Sequence, residues 1–411
     1  MKVKTVLQPE YMERFSCIGP SCEDSCCVGW RVTVDEASYK KYSKATDETL
    51  VPLFKKNVTR NRSNPSKTNY AKIKMDSQGR CPFLNEEKLC NIQQKLGATY
   101  LSDTCAIYPR TINQIDNIIE KSGTLSCPEI VRLALLNPDG ITFNEIEEPI
   151  SERTFVHSKK EPNSLKNANR IEKYFWDLRI FTIEVLQHRD YAIDERLIFL
   201  GLFYQKAQVL LDDNKLDEIQ MLIGTYKQLL GETSVKHDLA NVPSNPGIQM
   251  KLSKELMDQR IAGGINNERY MNCLGQYLNG IRYYKDSSVE ENASRYTEAY
   301  ATYYAPYMKD HEYIYENYLV NYAFRKLFPL TTEGSLFDAY VMMVVHFAMV
   351  KLHLIGLAGF HKGLTEEVIV KLIQSFTRMV EHNEGYLKRI HSLLKENDYT
   401  TMPFMSILIK N

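Results

Sequence analysis

Two periodicities divide the 411-residue chain near residue 150. Before that point apolar residues come in short runs broken by turn formers. In WRVTV, Trp30, Val32 and Val34 alternate onto one face, which predicts a short strand, and Asp35 then offers an N-cap to a helix through DEASYKKYSKA. YAKIKM alternates again, placing Ala71, Ile73 and Met75 together, and the polar NVTRNRSNPSKTN between the two reads as a loop. Beyond residue 150 the period becomes helical. Phe175, Leu178, Phe181, Val185 and Leu186 share one face of the segment 170–188, and Leu197, Leu200, Phe203 and Leu210 recur in the same way. Gly231 supplies the stop for a helix over 216–230, and the segment 238–247, with two prolines, reads as a loop. Ordinary helix lengths predict roughly eight to ten helices here. No tandem repeat or low-complexity segment interrupts the chain.

The expected fold is therefore mainly α: a small Cys-rich α+β metal-binding domain over 1–150, then an all-helical domain over 151–411. The most apolar run, Leu336 to Leu357, contains Asp338, His346, Lys351 and His353. Each would cost on the order of several kcal/mol in hydrocarbon, so this run predicts a core helix and no membrane span. The N-terminus has no apolar stretch of signal-peptide length, which points to the cytoplasm. Lys and Arg total 51 against 51 Asp and Glu, a balance with no electrostatic footprint for nucleic acid or anionic membrane. Of 26 tyrosines many crowd between Tyr283 and Tyr322, and Tyr296, Tyr300, Tyr303 and Tyr307 keep helical spacing until Pro306. That stripe reads as a packing face, with an aromatic surface for a cation as the alternative.

The cysteines change the picture. Eight of nine, Cys17, Cys22, Cys26, Cys27, Cys81, Cys90, Cys105 and Cys127, precede residue 130. In a reducing compartment that density predicts soft-metal binding, zinc or iron–sulfur, rather than disulfides. Eight thiols exceed the four of one ordinary centre, and the neighbouring side chains of Cys26 and Cys27 are expected to diverge from one metal atom. Cys127 precedes Pro128 and PEIVRLALL, so it is expected at a helix N-cap, where the dipole favours a thiolate. Glu23 and Asp24 beside Cys22 oppose a free thiolate there. A zinc site that merely staples the domain and a reactive cluster are both compatible with the spacing. Trp30 is expected to wall the metal site, and His346 and His353 to be core histidines. The chain carries no G-x-G-x-x-G turn after a strand, no P-loop and no G-x-S-x-G elbow, so a nucleotide-like cofactor has no ready loop.

The ordered motifs PEYM, F-x-C-I-G-x-x-C-E-D-x-C-C-x-G-W, CPFL, C-N-I, LG, LS-x-x-C-x-x-YPR and LSCPE resemble the flagellin lysine-N-methylase family over residues 9–135. ENYLVNYAFRKLFP, from Glu316 to Pro329, resembles a second block of that family. The cysteine ladder is also similar to a broader group of zinc- or iron-chelating domains. The resemblance implies methyl transfer from S-adenosylmethionine to lysine side chains of flagellin, beside a [4Fe-4S] cluster drawn from the eight cysteines. It departs from the radical-enzyme motif C-x-x-x-C-x-x-C, because Gly29 stands where the third cysteine belongs. A cluster held by three thiolates would leave an iron for the donor's amino-carboxylate. A lysine of ordinary pKa about 10.4 must arrive neutral. Tyr108 is the candidate to orient or deprotonate it, and Arg110 to hold the donor carboxylate or the cluster's negative charge; the alternative is that Tyr108 packs, Pro109 turns the chain and Arg110 pairs with Glu23 or Asp24. The alternative function is a non-enzymatic, zinc-stabilised protein-interaction module.

Overall fold

A computed structural model describes residues 2–63, 65–150, 155–265, 267–284, 286–331 and 334–411. The chain forms two compact units, Met1–Ile130 with Phe143–Lys159, and Val131–Thr142 with Lys160–Asn411.

The first unit holds two sheets. In the larger, strand Lys2–Pro9 pairs antiparallel with Phe143–Ile150 and parallel with Ile118–Gly123, Val6 opposite Ile119. The hairpin Arg110–Ile115 to Ile118–Gly123 turns through Asp116 at φ 50°, a left-handed position aspartate tolerates. The smaller sheet orders Thr33–Val34, Ala71–Ile73 and Val58–Arg60. Strand Val58–Arg60 lies inside the stretch expected to be a loop. It is an edge strand with only Val58 half-buried, so no buried alternation marks it. Around this sheet Val34, Leu50, Ala71 and Phe83 are fully buried, and Tyr42 stacks on Phe54 at 4.4 Å.

The second unit is helical, with 13 α-helical segments among its described residues, more than the pattern predicts. Two causes are local. The expected loop 238–247 is shortened to 241–245: Thr233–Ala240 runs into it, and Pro246 opens Pro246–Ala262, where a missing N–H costs nothing. Pro306 does not end the tyrosine helix either; a π turn at Tyr300–Tyr304 joins Val289–Ala299 to Ala305–Met308 and places the proline in a first turn.

Helix Leu336–His361 runs through the core of this unit and is the one described helix long and apolar enough to cross a membrane, yet 94% of its apolar window is buried against protein. Its polar residues bond within the fold, although His346 Nε2 is left without a partner among the described residues. Asp338 completes a capping box with Ser335 at 2.8 and 3.0 Å; His346 and His353 each donate from Nδ1 to the carbonyl four residues back at 2.6 Å; Lys351 Nζ donates to the Ile409 carbonyl at 2.8 Å. Gly280 crosses it at Gly356, where a Cβ would fall 1.7 Å from a backbone oxygen, so only glycine permits that approach.

The block Glu316–Pro329 is buried support. Glu316 takes Arg196 at 2.8 Å and Arg189 at 2.9 Å, and Asn317 donates to the Asn137 carbonyl at 2.9 Å. Tyr318 and Arg325 each reach Glu381 at 2.6 Å. Burial pushes the Glu381 carboxyl up, but Arg325, His346 and the Tyr318 hydroxyl outweigh it and hold it below the usual range.

Candidate functional site

Five of the eight ladder cysteines, Cys26, Cys27, Cys81, Cys90 and Cys105, line one cavity of about 90 Å³ in the first unit. Its remaining walls are mainly apolar and aromatic: Trp30, Val32, Tyr42, Ile73, Phe83, Ile92, Leu101 and Tyr108. All nine cysteines of the chain are free thiols.

Short elements bring these sulfurs together. The Cys81 amide donates to the Cys27 carbonyl at 2.8 Å, and an isolated bridge joins Leu84 to Cys90, which caps helix Asn91–Leu96. Cys105 rides on helix Asp103–Ile107, whose cap Ser102 accepts from the Cys105 amide. Asp35 sets that helix against its neighbour. One carboxylate oxygen accepts from Ser38 N at 2.8 Å, capping Glu36–Ser43 as expected, and the other accepts from Asp103 N at 3.0 Å. Thr33 and Thr104 hydroxyls bond at 2.8 Å and close the same seam.

Electrostatically, the Cys27, Cys81, Cys90 and Cys105 thiols are all raised above the ordinary cysteine value. A hydrogen bond with Cys26 is the largest influence raising Cys27, followed by burial and by charge on Cys26, Cys81 and Cys90. The adjacent side chains of Cys26 and Cys27 thus meet rather than diverge. Burial pushes Cys81 up to about 11 and Cys105 up to about 12. Cys105 keeps surface open to solvent, but its sulfur is crowded on most sides, so desolvation still dominates.

Cys127 and Cys22 stand beside the cavity residues, both acting on or feeling Cys26, without lining the cavity. Cys127 sits at the expected cap, with the amides of Glu129 and Ile130 bonding its sulfur, yet burial outweighs them and lifts the thiol to about 12. Without a metal, the two amides lower the pKa less than loss of water raises it. Cys22 is raised by burial first, then by Glu23, Cys26 and Asp24, and donates to the Asp24 carbonyl at 3.4 Å. Cys17 is exposed and takes no part in the cavity wall.

Among the described residues no three His, Cys, Asp or Glu side chains converge tightly enough to hold a single metal ion as they stand. The donors surround a space rather than a point.

Trp30 lines the cavity, its indole N–H on the Cys26 carbonyl and its ring 4.7 Å edge-on from Tyr108. The Tyr108 hydroxyl bonds Ser126 Oγ at 3.2 Å. Arg110 begins a strand and carries its guanidinium over Phe15, 5.2 Å from the ring centre, away from the cavity wall. Tyr42, Gln93 and Thr104 line the cavity without any signal in their local sequence; only the fold joins them to cysteines far away in the chain.

Fold and site together define a mainly helical protein whose small mixed sheet unit carries a thiol-lined chamber. Residues 179–408 match the family model described as the FliB lysine N-methylase C-terminal domain, and with more than half its length matched the chain belongs to the FliB lysine N-methylase family. It is 26% identical over 400 residues to the lysine-N-methylase of Salmonella typhimurium strain LT2 and 25% identical to that of Salmonella choleraesuis, in each case over 95% of both chains. It is 38% identical over 146 residues to the flagellar biosynthetic protein FliU of Salmonella muenchen, covering 35% of this chain and 85% of that one. No solved structure matches.

Proposed function

We propose that the chain is a protein-lysine N-methyltransferase that modifies flagellin in the cytoplasm, taking methyl groups from S-adenosylmethionine beside an iron–sulfur cluster in the thiol cavity. The observation that carries this reading is the gathering of five cysteines around one dry-walled cavity in a member of a lysine N-methylase family.

The donor set fits such a group by its chemistry. Soft thiols suit iron and zinc, and donors spread around about 90 Å³ suit an inorganic cluster of several metal atoms better than one tetrahedral ion. Cys26, Cys27, Cys81, Cys90 and Cys105 would supply its ligands, with Cys22 and Cys127 next in reach. When bound, such a cluster supplies Lewis-acidic iron able to take an amino-carboxylate, the chemistry that a chain without a glycine-rich phosphate loop needs for this donor. The apolar walls exclude water from the transfer and favour the neutral amine, since burial disfavours the ammonium. The Tyr108 hydroxyl, bonded to buried Ser126, orients the incoming amine. Arg110, turned to Phe15, has no part in this reading.

The test is metal and sulfide analysis of anaerobically purified full-length protein, with labelled methyl transfer to flagellin on the same sample. Iron and sulfide in the wild type, strongly reduced in Cys81→Ser and unchanged in Cys17→Ser, with label on flagellin lysines, is the expected result. Zinc alone, at full occupancy and without labelled lysine, would replace this reading with the metal-stapled interaction module.

A further inference from the structure

The tyrosines between Tyr296 and Tyr322 separate into two sets. Tyr296, Tyr304, Tyr315, Tyr318 and Tyr322 are buried core. Tyr300, Tyr303, Tyr307 and Tyr313 stay half-buried at the surface of the helical unit. The Tyr307 ring stacks on His311, centroids 4.0 Å apart and planes 8° from parallel, and Tyr313 lies 5.8 Å from the same imidazole. His311 is fixed in that stack because its Nδ1 donates to the Tyr307 carbonyl at 2.7 Å.

Two exposed acids, Glu366 and Glu367, sit in the first turn of helix Glu366–Phe376. Burial first, then Tyr313, Glu366 and Glu367, raise the Tyr307 hydroxyl to about 12; Glu366 acts on Tyr313 as well. Glu366 is thus the acid felt by both tyrosine hydroxyls, while Glu367 also feels Arg132. This surface already holds one ammonium group over a ring, since Lys362 Nζ lies 4.6 Å from the centre of Tyr303.

Ring faces and carboxylates at a solvent-reachable edge are complementary to an organic cation and to nothing anionic. We propose that the rim formed by Tyr307, His311 and Tyr313 with Glu366 and Glu367 binds the side-chain ammonium of lysine on the protein substrate, both unmodified and methylated. The proposal rests on the lysine-methylase reading for the identity of that cation. Methylation keeps the charge and enlarges contact with the rings, so the product binds here at least as well as the substrate.

The test is titration of the full chain with three fluorescent peptides that differ at one position: lysine, trimethyl-lysine or norleucine. Norleucine should bind about threefold to tenfold more weakly than the two cations. Tyr307→Leu should remove most of that difference, Tyr307→Phe should keep it, and Glu366→Gln, on an exposed turn that leaves the core intact, should reduce it. Equal binding of all three peptides, or a difference undiminished in both Tyr307→Leu and Glu366→Gln, would overturn the proposal. Labelled methyl transfer to the lysine peptide separates the two ideas. Transfer without cation discrimination sinks the rim alone, whereas discrimination abolished by Tyr307→Leu in a protein that transfers no methyl sustains the rim and sinks the transferase.

Discussion

At the level of single residues, Cys81 in the cavity wall and Cys127 beside it are governed by loss of water. Cys81 at about 11 and Cys127 at about 12 are almost wholly protonated at neutral pH, on the order of one thiolate in ten thousand or fewer. Alkylation of metal-free protein at pH 7.5 should therefore label exposed Cys17 well before Cys81 and Cys127, as mass spectrometry of timed samples would record. Early labelling of Cys81 would mean that a positive charge stabilises its thiolate. A soft metal entering the cavity must displace these protons, so uptake should release protons and weaken as pH falls. Phe83 is fully buried, and it tilts against Phe54 at 5.1 Å beside the same cavity. Phe83→Ala should cost about 3–5 kcal/mol of stability in a urea titration.

At the level of elements, two buried carboxylates act as joints. Asp35 caps two helices at once, and Asp35→Ala should cost about 1–3 kcal/mol, with Asp35→Asn losing less because one oxygen still accepts. If Asp35 positions the Cys105 helix, the alanine variant should also lose metal under conditions where it remains folded by circular dichroism. In the helical unit Glu381 joins Tyr318 and Arg325. Replacing Arg325 by leucine leaves a buried carboxylate without its cation and should cost about 3–5 kcal/mol, measured by the urea midpoint. A loss below about 1 kcal/mol would show that Tyr318 alone satisfies the carboxylate.

At the level of the whole molecule, pH acts through buried histidines. Burial lowers His353 and His382 to about 4 from an ordinary 6.5. Between those values the unfolded chain binds more protons than the folded one, so their stability contribution is complete above about pH 6.5 and is lost as pH falls toward 4. Urea midpoints should accordingly rise from pH 4.5 to pH 6.5 and then level off as far as these two groups are concerned; a flat profile across that window would show that water reaches both rings. The Glu381 and Asp338 carboxyls, both held below their usual range, contribute at lower pH, where stability falls further as each is protonated.

Much of this molecule is legible in the chain itself. The helical period beyond residue 150, the Asp35 cap, the core character of Leu336–Leu357 and the helix begun at Pro128 all follow from side-chain spacing and local hydrogen bonding, which act over a few residues. So does the clustering of thiols, because it is a matter of density along the chain. What spacing could not decide is which sulfurs meet. Strand pairing and helix docking bring Cys26, Cys27, Cys81, Cys90 and Cys105 to one cavity and leave Cys17 at the surface, and the same long-range packing raises the Cys127 thiol despite its cap. The tyrosine stripe likewise divides into core and rim only once neighbouring helices cover one part of it. Proximity across some eighty residues and the withdrawal of water are properties of the folded whole, since both depend on what every other segment occupies.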